Sequence, residues 1–493
     1  MTNTYRWPVL KSVLRIGSRM SVKWGAWTAI LVFILASQLG AQTPCENGIA
    51  GQYPCLGMDL MSVRSLEELG GDSSGDGNDC WGWTYEGREF VLFGRSDGTS
   101  IVEITDPVNP VLVANVPTAS ISSLWRDIKV IGDVAFIVSE ADSHGMQIVD
   151  LNEIVSTEPG SILEPTAHYD GFGSAHNVVA NPETGFVYAV GTEFFNGGLF
   201  AVDCNDPFNP NLVGSWSEQD VHDAQVVVYS GPDIDYAGKE IAFAFTGYSG
   251  FHVVDVEDKT DMQTVSALAD SQWVYVHQGW LTEDQRFIFM NDEMDETSGI
   301  AATTRTWVLN VEDLDSPFVV GFHEGTVEVT DHNLYTKEDK VYAANYYAGI
   351  HVFDIVDAAS AELVLSSSFD TNPFLDQTGT SGGAWSVYPY FESGNIAIST
   401  RSHMFVVRPS GWVDAVERDP QPLPQIDIRV LEARVQIQSN CRTQAMVYDL
   451  MGRHRATWPL SSSGWSTFLT EGWSSGTYIL KTASGYSQVF STY

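Results

Sequence analysis

The sequence predicts an all-β protein, a seven-bladed β-propeller of four-stranded antiparallel blades followed by a small C-terminal β-sandwich-like domain. One observation is a segment that recurs seven times, in which an apolar run follows a glycine or small polar residue and mostly ends on aspartate. The copies start at residues 98, 145, 197, 250, 304, 349 and 402, so their spacing is 45 to 54 residues, a period typical of repeat architectures. A second observation is that short apolar runs bounded by turn residues prevail, whereas helical periodicity is nearly absent.

The first repeat unit contains all four strands of a predicted blade. The runs CWGWTYE, EFVLFG, SIVEIT and VLVANV follow one another between residues 80 and 116, and the segments GR, SDGT and DPVNP separate them. Asp106 and Pro107 are turn residues, because aspartate bonds to nearby backbone N–H groups and proline fixes φ. The aspartates that end the recurring segments are therefore predicted to shape turns rather than to carry catalysis.

The last unit is one strand short. It offers only three strand-like runs before residue 411, and a propeller with an incomplete blade would expose a sheet edge. The extended segment at residues 58–66 lies before the first unit and has no partner in it. We therefore predict that residues 58–66 supply the outermost strand of the last blade.

Export and domain boundaries follow from composition. Residues 1–41 are predicted to be a signal peptide, in which a basic region is followed by the apolar run AWTAILVFILA and by a small-residue cleavage site ending at Ala41. Translation from Met20 would give a signal of more usual length. Residues 42–79 form an N-terminal extension with a cysteine pair and the closing strand. The propeller spans 80–412, a Pro-rich linker 413–425 and the C-terminal domain 426–493.

The charge balance limits the possible partners. The formal net charge is −38, and the clusters of Lys and Arg that a phosphate backbone requires are missing. Nucleic acid is therefore excluded as a partner. An acidic, solvated surface suits an exported protein that is expected to be monomeric.

The cysteines fit an exported chain. In the segment PCENGIAGQYPC, Cys45 and Cys55 are close enough in sequence to form a local disulfide in an oxidising compartment. A CxxC pair is missing, which argues against a cysteine zinc site.

Aligning the first strand of each unit reveals a column of equivalent residues: Gly82, Arg126, His176, His222, His277, His332 and Ser386. Because the first strand of a blade lines the channel, the four histidines are expected near its mouth. Neutral imidazole is a good ligand for zinc, copper or nickel, so these histidines are a candidate site for a divalent metal. The alternative is that the repeated polar residue only bonds to the neighbouring blade. Further candidate ligand-binding or channel-lining residues are Arg126, Asp127, Asn177 and Asp223.

A second acidic segment, NDEMDETSG, occupies residues 291–299. Its carboxylates at Asp292, Glu293, Asp295 and Glu296 are of the kind that calcium prefers, but their spacing is not that of an EF-hand loop. A solvated surface loop is the alternative that we favour for this segment.

Two resemblances to known families extend this interpretation. PCENGIAGQYPC, DCWGWTYEGREFVLFG, IVEITDPVNPVLVANVP, AHNVVANPETGFVYAVG and TRTWVLNVEDLDSP together resemble the choice-of-anchor B family, whose LVIVD-type repeats form a β-propeller. The resemblance covers about residues 45–411. It implies an exported protein of that fold and brings no enzymatic activity with it.

The tail resembles the C-terminal sorting domain of the type IX secretion system of Bacteroidota. The matching motifs are VYDLMGR and GWSTFLTEGWSSGTYILKT, with Gly476, Tyr478, Ile479 and Leu480 as their most telling part. The resemblance implies that the secretion machinery is a partner. The protein would then be released outside the cell or attached to its outer-membrane surface.

Two function classes remain open from the sequence. The first is a secreted or cell-surface module that binds an extracellular protein or glycan. The histidine column is flanked by Trp81, Trp83, Trp125 and Trp385, which would stack on such a ligand if exposed, but packing between blades is the interpretation that we favour for them. The alternative is an extracellular metal-dependent hydrolase or lyase at the channel. The motifs GxSxG, HExxH and the P-loop are missing, which favours the binding module.

Overall fold

The computed structural model of the protein describes residues 42–412 and, in the C-terminal region, the strands between residues 426 and 492 with residues 470 and 473. The predicted signal peptide, the predicted linker and Cys441 lie outside the described residues. In the part of the chain that is described, no helix has the length and apolar character that a membrane span requires.

The propeller prediction is confirmed, because seven successive sheets each contain a four-stranded antiparallel blade. The strands are numbered along the chain, beginning with β1 (Ile49–Ala50), β2 (Tyr53–Leu56) and β3 (Met58–Ser65). Blade 1 contains β4 (Gly77–Tyr85), β5 (Arg88–Arg95), β6 (Gly98–Glu103) and β7 (Val111–Pro117). Blade 2 contains β8 (Arg126–Ile131), β9 (Val134–Ser139), β10 (Met146–Asp150) and, after the two-residue strand β11 (Ser161–Ile162), β12 (Ala167–Tyr169).

The next three blades follow without interruption. Blade 3 contains β13 (Asn177–Asn181), β14 (Phe186–Val190), β15 (Leu199–Asp203) and β16 (Asn211–Trp216). Blade 4 contains β17 (Asp223–Val228), β18 (Glu240–Phe245), β19 (Phe251–Asp255) and β20 (Gln263–Leu268). Blade 5 contains β21 (Val276–Leu281), β22 (Phe287–Asp292), β23 (Arg305–Asn310) and β24 (Phe318–Glu324).

The last two blades complete the ring. Blade 6 contains β25 (Leu334–Lys337), β26 (Lys340–Ala344), β27 (Ile350–Asp357) and β28 (Glu362–Phe369). Blade 7 contains β29 (Ala384–Tyr388), β30 (Ile396–Thr400), β31 (His403–Pro409) and, at its outer edge, β3. The described helices are short: α1 (Asp295–Ser298) and three 3₁₀ turns, Leu151–Ser156, Phe195–Gly197 and Ala358–Ser360.

Apolar residues fill the spaces between blades. Both faces of a middle strand are buried against neighbouring blades, so its residues are almost continuously apolar. In blade 4, for example, Ala242 faces the cluster shared with blade 3, whereas Ile241 and Phe243 face the cluster shared with blade 5. Seven such clusters link each blade to the next and blade 7 back to blade 1.

Strand β3 closes the ring as predicted. It pairs antiparallel with β31 from Met58, opposite Pro409, to Ser65, opposite His403. Its side chains reach two clusters, because Met58 packs between blades 6 and 7 and Met61 packs between blades 7 and 1. Residues far apart in sequence are thereby joined in one blade.

The cysteine pair belongs to a further edge element. Cys45 and Cys55 form a disulfide with their Cα atoms 6.0 Å apart. The hairpin of β1 and β2 adds to the outer edge of blade 6, where Cys55 lies opposite Phe369 of β28. The disulfide therefore holds a hairpin that covers this sheet edge.

The C-terminal region contains two sheets, as expected for a sandwich-like domain. One sheet contains β32 (Ile426–Leu431), β33 (Arg434–Ser439) and β36 (Trp465–Leu469). The other contains β34 (Thr443–Asp449), β35 (His454–Leu460), β37 (Gly476–Thr482) and β38 (Ser487–Thr492). Val435, Val447, Tyr478 and Leu480 contribute to the apolar cluster of this region.

Candidate functional site

The topology of the blades explains why polar side chains meet at one end of the channel. The first strands of successive blades contact one another around the ring, so they are the innermost strands. In an antiparallel blade, the loop between the second and third strands lies at the same end as the start of the first strand. The histidine column lies at or just before the start of the first strands, and the loops after β9, β14, β22 and β26 surround it.

A cavity of about 800 Å³ opens at this end. All four predicted histidines line it. The loops contribute Glu140, Glu293 and Tyr346, and the exposed indole of Trp125 lies at the same cavity. A concave site with convergent polar groups is the usual form of a ligand-binding site.

The four imidazoles form one continuous row of ring contacts, in which neighbouring rings are tilted by 43° to 52°. The ring centroids of His176 and His222 are 4.3 Å apart, those of His222 and His277 are 4.1 Å apart, and those of His277 and His332 are 4.4 Å apart. The spacing is short because each histidine lies at or just before the start of the innermost strand of a successive blade. The structure therefore brings together the four histidines that the sequence singled out.

Hydrogen bonds from Nδ1 fix two of these rings. His222 Nδ1 lies 3.0 Å from the carbonyl oxygen of His277, and His332 Nδ1 lies 2.5 Å from that of Trp385. A carbonyl oxygen only accepts, so both Nδ1 atoms carry the proton and Nε2 retains its lone pair. His222 and His332 thus do bond to the neighbouring blade, which was the alternative to metal binding. These bonds use Nδ1 and leave Nε2 available to bind a metal.

Glu293 lies against two of the Nε2 atoms. Its Oε2 is 3.7 Å from His277 Nε2, and its Oε1 is 3.7 Å from His332 Nε2. These distances are too long for hydrogen bonds. The ligand atoms of the three residues all lie within 4.8 Å of one another, and Tyr346 donates its hydroxyl hydrogen to Glu293 Oε1 at 2.6 Å. Two imidazoles and a carboxylate are a ligand set that suits zinc.

The protonation states separate His176 from the other three histidines. Burial and the neighbouring histidines hold the pKa values of His222 and His277 well below the usual range, and burial lowers the pKa of His332 to about 3. Burial opposes the charge of His176 too, but the Glu140 carboxylate, 2.6 Å from its Nδ1, raises the pKa of His176. Three of the rings are therefore neutral near pH 7, the form that binds metal.

The other predicted site residues serve the contacts between blades. The guanidinium of Arg126 donates to the carbonyl oxygen of Arg95 and to Thr118 Oγ1, although Arg126 and Asn177 also line a small cavity beside the four histidines. Asn177 Nδ2 donates to the carbonyl oxygen of His222 at 2.9 Å. The structure does not bring these two polar groups to the carboxylate that faces the histidines.

The two predicted aspartates lie deeper in the channel. Asp127 pairs with Lys129 at 2.7 Å and accepts a hydrogen bond from the backbone of Val178. Asp223 is buried, and burial raises its pKa to about 7 although Lys129 opposes the shift. Both aspartates therefore belong to a buried charge network around Lys129 and not to the group formed by His277, Glu293 and His332.

Three of the four tryptophans beside the histidine column are buried or half-buried, in agreement with the packing that we favoured for them. Trp83 and Trp385 are buried, Trp81 is half-buried, and Trp125 is exposed. Trp385 packs on His332 with ring centroids 5.0 Å apart. Trp125 is therefore the member of this set that is free to stack on a ligand.

The sequence alignment of first strands missed Glu140, Glu293 and Tyr346. Each lies one or two residues after the second strand of its blade, namely β9, β22 or β26. The prediction that residues 291–299 form a solvated loop was wrong, because Asp292, Asp295 and Glu296 are buried. An alignment of the ends of the second strands, in addition to the starts of the first strands, would have revealed Glu140 and Glu293.

Comparisons with known proteins give no family assignment. No protein-family model matches this chain, and no curated protein sequence matches it. Among solved structures it is similar to PorZ, an essential surface component of the type IX secretion system of Porphyromonas gingivalis, with a TM-score of 0.43 and 12% identity over 84% of this chain. This chain spans 59% of the length of that structure.

A second similar structure is the β-propeller domain of Cps50 (Swd1) from Myceliophteria thermophila. The TM-score is 0.46 and the identity 12%, and the match covers 71% of this chain and 99% of that domain. The assignment of the propeller fold rests on the order of the strands in each sheet and not on these two similarities.

Proposed function

We propose that this protein is an exported β-propeller that binds an extracellular ligand at the histidine-lined end of its channel, through a transition-metal ion held by His277, Glu293 and His332. The position of Glu293 carries the proposal, because its two oxygens face two Nε2 atoms at 3.7 Å. Two ligand atoms that share a tetrahedral metal about 2.1 Å away lie about 3.4 Å apart. A modest contraction around an ion would therefore complete the site.

The surrounding groups support metal binding. His332 donates from Nδ1 to a backbone carbonyl, and Tyr346 donates to Glu293, which is how outer partners orient metal ligands. Three protein ligands leave a coordination position for a ligand atom from outside. Trp125, exposed at the same cavity, offers a flat apolar surface to a glycan or a protein side chain.

Export and surface location belong to the same proposal. The apolar segment within residues 1–41 supports signal-directed export, and the tail motifs VYDLMGR and GTYILKT support sorting by a type IX secretion system. The repeat motifs support membership of the choice-of-anchor B family. The protein would then act outside the cell or at the outer-membrane surface.

Metal analysis of the purified protein tests the metal site. After exposure to Zn²⁺, Cu²⁺ or Ni²⁺ and dialysis, we expect about one bound ion per chain, and we expect Glu293→Gln and the double variant His277→Gln/His332→Gln to lose it. The variant His252→Gln is a matched control, since His252 is buried in blade 4 and absent from the cavity lining. Equal metal content in all four proteins would refute the site.

A metal-dependent hydrolase or lyase is the second candidate. The open coordination position favours it, because a bound water could be activated there. Glycan or protein binding without turnover supports the binding module. Turnover that is lost on chelation and restored by metal supports the enzyme.

A further inference from the structure

A second cavity lies at the end of the channel opposite the histidines. It is lined by Trp81 of β4 and by residues of β8, β13, β17 and β21, and it extends to Pro182 and Glu183. These last two residues follow the end of β13, whereas the histidine column lies at the starts of the first strands. The cavity has a volume of about 260 Å³ and shares no lining residue with the histidine-lined cavity. A cavity of this size suits a ligand smaller than a drug-sized molecule.

Two tryptophans supply flat walls of this cavity. Trp81 and Trp280 both line it, and both are half-buried. The ring centroid of the buried Tyr335 lies 5.8 Å from that of Trp81 and 4.9 Å from that of Trp280. Aromatic packing inside the channel therefore fixes both indoles. A fixed indole that remains partly accessible is a surface on which an amphipathic ring can stack.

Unused hydrogen-bond donors border these walls. In the part of the chain that is described, Gln225 Nε2 and the indole N–H groups of Trp81 and Trp280 donate to no protein atom. Gln225 is held by its Oε1, which accepts from the backbone N–H of Leu281 at 2.8 Å. A ligand that displaces water from these three donors needs oxygen atoms to accept from them.

Lys129 adds a buried donor to the same cavity. It is 7% exposed, yet it lines the cavity, with Nζ 2.7 Å from Asp127 Oδ1 and 4.8 Å from the centre of the Trp81 ring. An ammonium carries three N–H groups, so the bond to Asp127 leaves others for an acceptor oxygen. The site thus combines flat apolar walls with donors that converge on one small volume.

The charges around Lys129 favour a neutral ligand. Asp127 already pairs with Lys129, and burial holds the pKa values of Asp79 and Asp223 above their usual range, which reduces the negative charge that these two add near pH 7. The carboxylate of Glu183 is exposed at the rim of the cavity. An anionic ligand would therefore meet two carboxylates, Asp127 and Glu183, and no unpaired cation.

We propose that this cavity binds one neutral sugar ring, so that the channel has a glycan site at the end opposite the histidines. A sugar ring has an apolar face of C–H groups, which can lie on an indole. Its hydroxyl oxygens accept hydrogen bonds from Lys129, Gln225 and the indole N–H groups. A purely apolar ligand of the same size would leave these donors unpaired. The site requires no metal, so it is independent of the function proposed for the histidine end.

Ligand-observed NMR titrations of the full chain with glucose, galactose, mannose and N-acetylglucosamine test this proposal. We expect at least one of these sugars to bind with a Kd on the order of 1 mM, the affinity usual for about a dozen heavy atoms. Glucuronic acid should bind more weakly than the neutral sugar that binds best. A chelator should leave the sugar affinity unchanged, which separates this result from the test of the metal site.

Two variants test the location of the sugar. Trp280→Leu should weaken the binding about three- to tenfold, because it removes a stacking surface and keeps an apolar side chain. Ala180→Leu should abolish the binding, because the added atoms fill part of the cavity. The matched control is Trp125→Leu, which removes the exposed indole at the histidine end and should retain the full sugar affinity.

Three results would overturn the proposal. The first is that none of the four neutral sugars binds. The second is that Trp280→Leu and Ala180→Leu, each with a melting transition, bind the sugar as tightly as the wild type does. The third is that glucuronic acid binds more tightly than every neutral sugar, since the cavity would then prefer an anion.

Discussion

At the scale of single residues, Arg126 shows how one column position serves different purposes in different blades. The equivalent positions in blades 3 to 6 are histidines that face the cavity, whereas the longer Arg126 side chain passes between blades and places Nη1 3.0 Å from His144 Nε2. His144 Nδ1 lies 2.9 Å from the carbonyl oxygen of Gly145 and therefore carries the proton. Neutral His144 thus accepts a hydrogen bond from Arg126.

This arrangement predicts a pH dependence of stability. Burial and the charge of Arg126 lower the pKa of His144 to about 4, whereas the unfolded chain has a histidine pKa of about 6.5. Below pH 6.5 the unfolded chain therefore binds one more proton at His144 than the folded chain does. As the pH falls from 6.5 to 4, this difference lowers the free energy of unfolding by about 3 kcal/mol. Chemical denaturation across this range should show a smaller loss for His144→Gln than for the wild type.

A direct titration controls for other groups. The ring proton signal that disappears in His144→Gln should titrate with a midpoint well below 6 in the wild-type NMR spectrum. A midpoint near 6.5 would contradict the assignment of a buried, neutral His144.

The sequence identified the four histidines because the starts of the first strands align, but that alignment does not include the loops after the second strands. Glu293 and Tyr346 lie in such loops, and they meet because the loops of blades 5 and 6 converge. The burial of Asp295 and Glu296 was also inaccessible to composition, which associates acidic segments with solvent.

At the scale of elements, the closing strand was predictable and the edge covers were not. The last repeat unit lacks a fourth run, and this deficit pointed to β3. In contrast, β1 and β11 have two residues each and carry no periodicity that a sequence pattern can reveal. They nevertheless extend blade 6 and blade 1 beyond four strands.

The two buried methionines of β3 should carry the closure. Met58 is 1% exposed and Met61 is 7% exposed, and they pack in different inter-blade clusters. Met58→Ala and Met61→Ala should each cost about 2–5 kcal/mol, since each leaves a cavity beside two blades. Thermal unfolding measures the loss.

Arg64→Ala is the matched control for these changes, because Arg64 is on the same strand but only half-buried. It should lower the melting temperature much less than either methionine change. Equal effects of all three substitutions on the melting temperature would mean that the buried face of β3 contributes no more to the stability of the ring than its half-buried face does.

At the scale of the whole molecule, the ring and the tail have separate cores. The buried members of the seven inter-blade clusters lie between residues 50 and 407, and those of the tail cluster lie between residues 435 and 490. In the described strands, β32 to β38 pair only with one another. The ring is closed because blade 7 contacts blade 1 through the apolar cluster that contains Met61 and Val91.

This separation predicts that a chain ending at residue 412 keeps the propeller intact. Its melting temperature and its metal content should equal those of the full chain, because the truncation removes no strand and no side chain from the inter-blade clusters. A chain ending at residue 401 is the contrasting variant: it lacks β31, so β3 loses its partner and blade 7 cannot close. That chain should be insoluble or melt far lower, and a comparable loss for the chain ending at 412 would show that the tail stabilises the ring. In a bacterium with a type IX secretion system, the chain ending at 412 should also fail to reach the cell exterior if our proposal is right, since the motifs to which we assign sorting lie beyond residue 412.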